Sequence, residues 1–362
     1  MAISRPGVSQ CGVNLMALTM KAFFIVPSPE GGVYELRDIP LPSPGPGEVL
    51  VKIHGSGTNR GELIRGPQLR SSDPAARPMR AGIEYAGEIA ALGEGVTGWR
   101  VGDRVMGRGP GCYSEYTTPN QRALMRIPGG MSFIDAACIP NVFITAHDAI
   151  VTAAAVKPGE AVMVTAGPSG VGTAAIQIAR HLGCKPVIAT TRSPAKAEVL
   201  RTLGAHEVID TSKDGWVNSV MAATQKRGVD AIIDQVGGPM LAGNIIALAL
   251  RGRLVSVGRN GAFVGECDMD EIARKRASII GVTFRTRTAE ETLQAGERFA
   301  ADLLAAINTG ALKPVLDRTF PLERLADAHA YMLSDAQVGK IVLTMGATAD
   351  RIVAGFADSP LR

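Results

Sequence analysis

The chain has 362 residues, of which 46% are hydrophobic and 20% charged, and its formal net charge is +4. This composition is typical of a globular protein, and the length suffices for one large domain or two ordinary ones. The small net charge, with both signs mixed along the chain, argues against nucleic acid as a partner, and no apolar run has the length of a membrane span.

The cysteines and the first residues indicate the cellular setting. Five cysteines are scattered along the chain without a CxxC pair: Cys11, Cys112, Cys138, Cys184 and Cys267. This pattern fits a reducing compartment and predicts a cytoplasmic protein without a disulfide framework. Residues 1–19 lack a signal-peptide pattern, and we expect them to form a poorly ordered extension before Met20.

From Lys21 the chain alternates short β-type segments with turns rich in proline and glycine. The segments include AFFIV, GVYELRDIP, GEVLVKIHGSG, GIEYAGEIAALGEGV, WRVGDRVMGR and CYSEYTTP. This pattern predicts a compact, mainly antiparallel β-barrel domain. After Ser132 the sequence pattern becomes typical of helices.

A glycine-rich turn organises the next part of the chain. Residues 162–165 form a short apolar strand, 167–172 a turn of small residues, and TAAIQIARHLG has helical spacing. This arrangement presents backbone N–H groups and the positive end of the helix dipole to a pyrophosphate. We therefore predict a dinucleotide site with five turn residues in contact with the cofactor: Gly167, Ser169, Gly170, Val171 and Gly172.

Strands and helices alternate regularly after the turn. The strand-like segments are AVMVT, PVIATT, HEVID, DAIIDQV, RLVSVG and SIIGVTF, and the last predicted helix between them is PMLAGNIIALALR. The alternation predicts an α/β fold with a doubly wound, six-stranded parallel Rossmann sheet. Downstream we expect helices at 289–308 and LADAHAYML, and a last strand at GKIVLTM that returns to the first domain.

The end of the second Rossmann strand distinguishes NAD from NADP. A carboxylate there binds the ribose hydroxyls of NAD and repels a 2′-phosphate. This chain instead has Arg192, with Lys196 one helical turn later, and Thr191 and Ser193 add hydroxyl groups. Cations with hydroxyls are complementary to a phosphate dianion, so we expect NADPH. An ordinary capped helix start is the alternative interpretation, because Ser193 precedes a proline.

Several motifs together resemble the medium-chain dehydrogenase/reductase superfamily, from about Met20 to Met345. They are MKA at 20–22, PGEV at 46–49, GIEYAG at 82–87, VGDRV at 101–105 and GKIVL at 339–343. NRGEL at 59–63 and TFRTR at 283–287 resemble the zinc-free quinone oxidoreductases, and SGVG at 169–172 resembles their p53-inducible branch. The resemblance implies a GroES-like catalytic domain formed by 20–141 and 285–362, and a Rossmann NADPH-binding domain at 142–284.

The same resemblance bears on zinc. Zinc alcohol dehydrogenases carry cysteine, histidine and cysteine where this chain has Ser56, Ile83 and Asn141, none of which is a good zinc ligand. The lobe with four close cysteines is also missing, since the region has only Cys112. We therefore expect no metal site. NADPH then supplies the hydride, and a quinone or an activated α,β-unsaturated carbonyl is a suitable acceptor.

The resemblance also identifies residues of the cleft. Asn59 is the catalytic candidate, as a donor near the substrate oxygen, or else it stabilises the turn after Gly57. Thr145 matches the position that faces the nicotinamide, or is only a helix-start hydroxyl. We expect backbone contacts to the cofactor at three residues that follow the fourth and fifth strands, where ligands bind in such sheets: Val236, Gly258 and Arg259.

Three further features complete the sequence-based expectation. Glu84 is interpreted as a buried structural acid. Arg285 and Arg287 share one face of an extended segment, and they either attract anions or are surface arginines. The loop 66–70 lacks the tyrosine that many zinc-free reductases carry, which disfavours enoyl-thioester reduction with a tyrosine proton donor.

The expected function is therefore NADPH-dependent, zinc-independent reduction of quinones or activated enones. The alternatives are an NADPH-binding protein with little turnover, or an alcohol dehydrogenase or enoyl reductase of the same superfamily. The expected partner is a small-molecule quinone or enone, and the expected assembly is a homodimer. Neither nucleic acid nor a membrane is expected as a partner.

Overall fold

The structure is a computed structural model that describes residues 18–63, 69–73 and 75–346. The predicted extension at 1–19 lies outside these ranges except for its last two residues. Thr19 already belongs to the first strand and pairs with Pro40, so the extension is shorter than predicted at that end. Residues 66–68 of the loop without tyrosine also lie outside the described residues.

The first half of the chain forms two sheets. Its strands are β1 (Thr19–Ser28), β2 (Gly31–Pro40), β3 (Val49–Gly57), β4 (Met79–Arg80), β5 (Glu84–Leu92), β6 (Arg104–Arg108), β7 (Tyr116–Thr117) and β8 (Leu124–Arg126). β1 pairs with β2 and β4, while β3, β5, β6 and β8 form an antiparallel ladder. The mainly antiparallel prediction is confirmed for this half.

The short helix α1 (Arg60–Leu63) lies between β3 and β4 within the first half. Helices α2 (Phe133–Ala136) and α3 (Pro140–His147) connect the first half to the parallel sheet, and α3 continues as π-helical turns over Asp148–Ala153. Within the described residues, the stretch Phe133–Ala153 is long and apolar enough to cross a membrane, but 83% of its apolar window is buried in the fold. It is therefore a core element that packs between the two halves.

Six parallel strands form the central sheet of the second half. They are β9 (Val162–Val164), β10 (Val187–Thr191), β11 (Glu207–Asp210), β12 (Val229–Asp234), β13 (Leu248–Ser256) and β14 (Ser278–Gly281). Their order is β11-β10-β9-β12-β13-β14, which confirms the predicted doubly wound Rossmann sheet. Helices cover both faces: α4 (Gly170–His181), α5 (Ala197–Thr202), α6 (Trp216–Ala223), α7 (Leu241–Ala247) and α8 (Met269–Lys275).

One predicted boundary in this sheet is wrong. The segment PMLAGNIIALALR was expected to be helical to its end, but α7 stops at Ala247 and β13 begins at Leu248. Leu248 has extended backbone and pairs with Val229 of β12. Pairing with a neighbouring strand therefore overrides the helical preference of the leucine and alanine residues.

The last part of the chain returns to the first half. Its elements are α9 (Ala289–Asn308), β15 (Leu316–Pro321), α10 (Leu325–Leu333) and β16 (Lys340–Thr344). β16 pairs with β3, so both late strands extend the sheet of the first half, with one parallel pair between β15 and β16. Helix α9 packs against α3, where the ring centroids of Phe143 and Phe299 are 6.4 Å apart.

Candidate active site

A cavity of about 500 Å³ is lined by residues from both halves of the chain. Seven predicted site residues line it: Asn59, Thr145, Ser169, Gly170, Val171, Gly258 and Arg259. The other predicted residues do not: Gly167, Gly172, Thr191, Arg192, Ser193, Lys196 and Val236. The structure thus brings the catalytic candidate next to the start of α4, and leaves the residues predicted for the 2′-phosphate outside the cavity.

Side-chain hydrogen bonds hold the dinucleotide turn at the start of α4. Ser169 is the N-cap, and its Oγ accepts a hydrogen bond from Gly172 N at 3.0 Å. The same hydroxyl donates to Gln235 Oε1 at 2.6 Å, and Gln235 Nε2 donates to Thr165 O at 2.9 Å. Because the Ser169 side chain and the Gly172 N–H group are engaged with each other, the backbone N–H groups of Gly170 and Val171 are what the start of this helix offers to a phosphate.

Two glycines of the turn are closely packed. A Cβ at Gly172 would lie 2.5 Å from the carbonyl oxygens of Ala166 and Gly167. A Cβ at Gly170 would lie 2.8 Å from Cδ of Lys340. A side chain at Gly172 would therefore collide with the backbone of the turn, and one at Gly170 would have to displace the side chain of Lys340.

Arg192 and Lys196 follow β10 and face the loop after α10. Arg192 NH2 lies 2.7 Å from Asp335 Oδ2, and the Arg192 side chain is 74% exposed. Lys196 Nζ donates to the carbonyl oxygens of Asp335 and Gln337 at 2.5 and 2.9 Å. Burial lowers the pKa of Lys196, and the charge of Asp335 opposes this shift. The two cations are adjacent, and both contact Asp335, Arg192 through its carboxylate and Lys196 through its backbone carbonyl oxygen. The sequence did not indicate this partner.

Other predicted cofactor residues are held by local contacts. Thr191 Oγ1 accepts a hydrogen bond from Ser193 N at 3.0 Å and turns the chain after β10. Val236 N donates to Asp234 Oδ1 at 3.1 Å, so this N–H group is engaged within the protein. A Cβ at Gly258 would lie 2.5 Å from the carbonyl oxygen of Gln235, the residue after β12. Burial raises the pKa of the Asp234 carboxyl.

Asn59 lies just before α1, inside a hydrogen-bond network. Its Nδ2 donates to Glu84 Oε1 at 2.9 Å and lies 3.4 Å from Gly57 O. Its Oδ1 accepts hydrogen bonds from Lys340 Nζ at 2.8 Å and from Asn141 Nδ2 at 2.9 Å. The amide is therefore engaged at both ends, and it orients its neighbours in the cavity wall. The turn contact and the cavity position predicted as alternatives both occur.

Glu84 and Lys340 form a buried ion pair in this network. Lys340 Nζ lies 2.7 Å from Glu84 Oε1, and the side chains are 3% and 0% exposed. The ammonium also donates to Thr58 O at 2.6 Å, and Asn141 N donates to Glu84 Oε2 at 2.8 Å. Both charges have hydrogen-bond partners, which is the condition under which a buried pair is tolerated. This geometry agrees with the interpretation of Glu84 as a buried structural acid.

Arg108 extends the network to another part of the cavity wall. Its Nε donates to Asn141 Oδ1 at 2.9 Å, and its guanidinium carbon lies 4.1 Å from the ring centroid of Phe284. Arg287 lies 4.4 Å from the same centroid and pairs with buried Asp148 at 2.7 Å. The surface-arginine interpretation is therefore wrong for Arg287.

Sequence reasoning missed Lys340 and Arg108 as residues that line the cavity. Arg285, which was expected either to attract anions or to be a surface arginine, also lines it. Arg108 ends β6 and Lys340 begins β16, and both strands are otherwise largely apolar. A charged residue at the end of a buried strand is the signal that could have found them, because a charge removed from water needs a partner.

The positions that correspond to the ligands of zinc alcohol dehydrogenases make other contacts in this chain. Ser56 Oγ donates to Glu84 O at 2.7 Å, and Asn141 belongs to the Asn59 network. Across the residues that the structure describes, no three His, Cys, Asp or Glu side chains form a group that could hold a metal ion. The donor set at this site therefore does not fit a catalytic zinc ion.

Comparison with known proteins identifies the family. An alcohol dehydrogenase GroES-like domain matches residues 45–131, and a zinc-binding dehydrogenase domain matches residues 170–301. Quinone oxidoreductase of Homo sapiens is 32% identical over 320 residues, which cover 86% of this chain and 94% of that protein. The chain belongs to the medium-chain dehydrogenase/reductase superfamily. Within the superfamily it lies in the quinone oxidoreductase branch, and it is an oxidoreductase.

Solved structures of the superfamily have the same fold. A mycobacterial protein complexed with NADPH is 30% identical with a TM-score of 0.79, and the match covers 90% of this chain and 99% of that one. An NAD-dependent alcohol dehydrogenase is 30% identical with a TM-score of 0.80, covering 90% of this chain and 100% of that one. The predicted combination of a Rossmann sheet and a GroES-like domain is confirmed, and membership implies a nicotinamide cofactor.

Proposed function

We propose that this protein is an NADPH-dependent, zinc-independent reductase of quinones or related activated α,β-unsaturated carbonyls. The observation that carries the proposal is the cavity that joins the start of α4 to the Asn59–Lys340 network. Its polar wall includes amide, ammonium, guanidinium and hydroxyl groups, together with the carboxylate of Glu62. The donors among these groups suit an acceptor whose own π-system takes up a hydride, because such an acceptor needs hydrogen-bond donors rather than a metal ligand set.

Support for NADPH comes from the charges after β10. Arg192 and Lys196 are adjacent, and the partner of Arg192 is a half-exposed carboxylate, Asp335. A phosphate dianion carries more charge than one carboxylate and matches the guanidinium fork, so it can replace Asp335 at the exposed Arg192. The similar structures include one named with NADPH and one named NAD-dependent. The proposal of NADPH therefore rests on these local charges and not on membership of the superfamily.

The residues of this chain would bind and orient the reactants. The turn at α4 holds the pyrophosphate through backbone N–H groups, and Thr145, which is 9% exposed, offers a hydroxyl in the cavity. When bound, NADPH supplies the hydride, and the protein contributes position and electrostatics. No side chain in the described part of the cavity is assigned as a general acid, and the proton that completes the product comes from solvent.

The direct test is steady-state NADPH oxidation with a series of quinones and activated enones, with simple alcohols and NAD⁺ as the comparison. Turnover with the quinones or enones supports the proposal. Tight NADPH binding without turnover on any acceptor would favour an NADPH-binding protein. Activity confined to alcohols would favour an alcohol dehydrogenase of the superfamily.

Metal removal is expected to leave the enzyme unchanged. Extended dialysis against a chelator should preserve both the unfolding midpoint and the rate of NADPH oxidation, since Ser56, Ile83 and Asn141 offer no zinc-ligand set. Metal analysis before and after dialysis provides the control. Loss of activity that zinc alone restores would contradict zinc independence, and would agree with the name of the matching zinc-binding dehydrogenase domain.

A further inference from the structure

The guanidinium group of Arg108 is held in place by contacts that do not involve its terminal amino groups. Its Nε donates to Asn141 Oδ1 at 2.9 Å, and its carbon lies 4.1 Å from the ring centroid of Phe284. The Phe284 ring is itself held, because Arg287 lies over it at 4.4 Å and pairs with Asp148 at 2.7 Å. One edge of the guanidinium is thereby anchored, and the stacked ring fixes its plane.

The terminal amino groups of Arg108 have no hydrogen-bond partner among the residues that the structure describes, although Arg108 lines the cavity. The neighbouring polar groups differ, since Asn59 and Lys340 are engaged with each other and with Glu84. Burial lowers the pKa of Arg108, opposed by the charges of Glu84 and Glu62, but a guanidinium stays protonated at neutral pH. An oriented cation with unused donors has the properties of an oxyanion site.

We propose that Arg108 donates a hydrogen bond to the carbonyl oxygen of the substrate as this oxygen gains negative charge. The inference rests on the proposed reductase function. Hydride transfer from NADPH delivers two electrons and one hydrogen nucleus to a quinone, and it leaves NADP⁺ and a hydroquinone monoanion. A proton from solvent then completes the hydroquinone. Because the charge on oxygen develops during hydride transfer, the contact with Arg108 strengthens towards the transition state.

The probe for this site is 4-nitrophenol, because its phenolate resembles the hydroquinone monoanion and its absorbance reports its ionisation. It is titrated in the presence of NADP⁺ into the wild type, Arg108→Met and Arg104→Met. Arg104 is a matched control, since it begins the same strand and lies 4.5 Å over the ring of Phe133, but does not line the cavity.

The wild type and Arg104→Met are expected to lower the pKa of bound 4-nitrophenol. Arg108→Met should weaken phenolate binding by about tenfold to a hundredfold, the range of one charge-assisted hydrogen bond, with NADP⁺ affinity unchanged. Arg108→Lys keeps the positive charge but loses the planar pair of terminal amino groups, so it should weaken phenolate binding several-fold. It serves as the deciding variant if Arg108→Met does not fold.

Phenolate binding that is equal in the wild type and the Arg108 variants would overturn the inference, as would no phenolate binding by a wild type that binds NADP⁺. An equal loss of NADP⁺ affinity in Arg108→Met would also overturn it and assign Arg108 a structural role. The readout requires no turnover. A wild type that binds phenolate through Arg108 but reduces no quinone would therefore refute the proposed reductase while supporting the anion site.

Discussion

Single charges after β10 are expected to set the coenzyme preference. The double change Arg192→Ala with Lys196→Ala should weaken NADPH binding by roughly tenfold to a few hundredfold, because it removes charge-assisted contacts to the 2′-phosphate. NADH lacks this phosphate, so its binding should barely change. Fluorescence titration of both coenzymes measures the two dissociation constants.

The control for this experiment is salt. Exposed charges are screened within about 8 Å at physiological ionic strength, so added salt should weaken NADPH binding more than NADH binding. Lys196 also holds the carbonyl oxygens of Asp335 and Gln337, and an unfolding curve must show that the variant keeps its fold. Equal weakening of both coenzymes would contradict the assignment to the 2′-phosphate.

The buried pair of Lys340 and Glu84 leads to a second prediction. Lys340→Met should lower the free energy of unfolding by about 3–5 kcal/mol, because it leaves the Glu84 carboxylate buried without a counter-charge. The double variant Lys340→Met with Glu84→Gln should recover part of this loss. Urea unfolding of the wild type, both single variants and the double variant forms a complete mutant cycle.

A double variant that is no more stable than Lys340→Met would show that the packing of the lysine side chain, and not its charge, causes the loss. This distinction matters because the methylene chain of Lys340 lies against Gly170 at the dinucleotide turn. NADPH affinity, measured on the same variants, would then report the same packing effect.

At the level of residues, the sequence predicted the cavity position of Asn59 but not its partners. Asn59 and Lys340 are 281 positions apart, and Glu84 and Lys340 are 256 apart. No local pattern encodes such a pairing, because it depends on β16 lying beside β3. The sequence did indicate the cations after β10, since Arg192 directly follows the strand and Lys196 lies in the short helix that comes next. It did not indicate Asp335, which lies in the loop after α10, far along the chain from β10.

Among the elements, the strand, turn and helix at 162–181 carry the most specific prediction. Gly172→Ala should destabilise the protein by about 1–3 kcal/mol and weaken NADPH and NADH equally, because the added Cβ would lie 2.5 Å from two backbone carbonyls and displace the turn. Thermal unfolding and coenzyme titration measure both effects.

Gly281→Ala is the matched control for this change. Gly281 ends β14, and a Cβ there has no heavy atom within 4 Å. This variant should leave stability and coenzyme binding close to those of the wild type. If Gly172→Ala behaved like Gly281→Ala, the turn would have to be more adaptable than its packing indicates.

The elements also show where local sequence suffices. The helices at 289–308 and 325–333 occur with the predicted bounds, because each has apolar spacing along one face. A capping box of Thr288 and Glu291 fixes the first of them. The start of β13 at Leu248 was missed, since leucine and alanine favour helix and only pairing with β12 imposes a strand.

Across the whole molecule, Arg122 joins the first half to α9. It lies in the short 3₁₀ helix Gln121–Ala123 and pairs with Glu290 at 2.7 Å and Glu297 at 2.8 Å. The hydrogen bond from Arg122 lowers the pKa of Glu290 to about 2. A carboxyl whose pKa is lower in the folded state than in the unfolded chain stabilises the folded protein at any pH above the unfolded pKa of about 4.3. This contribution is lost as the pH falls towards 2.

The expected result is that the wild type is more stable than Arg122→Ala at neutral pH, and that the difference shrinks as the pH falls from about 4.5 towards 2. Urea unfolding midpoints over this pH range measure the difference. Arg324→Ala is the control, because its partner Asp327 lies three residues away on the same segment and joins no distant parts. A difference for Arg122→Ala that is independent of pH would contradict the role of Glu290.

The position of Lys340 has a consequence for synthesis of the chain. Asn59 and Glu84 emerge from the ribosome long before residues 339–340, which also contact the turn at Pro168 and Ser169. Until β16 arrives, Glu84 has no ammonium partner and cannot be enclosed without a large penalty. A chain that stops before Gly339 therefore lacks both the ammonium partner of Glu84 and the contacts at Pro168 and Ser169, and we expect it to leave the cavity incomplete and to have no activity.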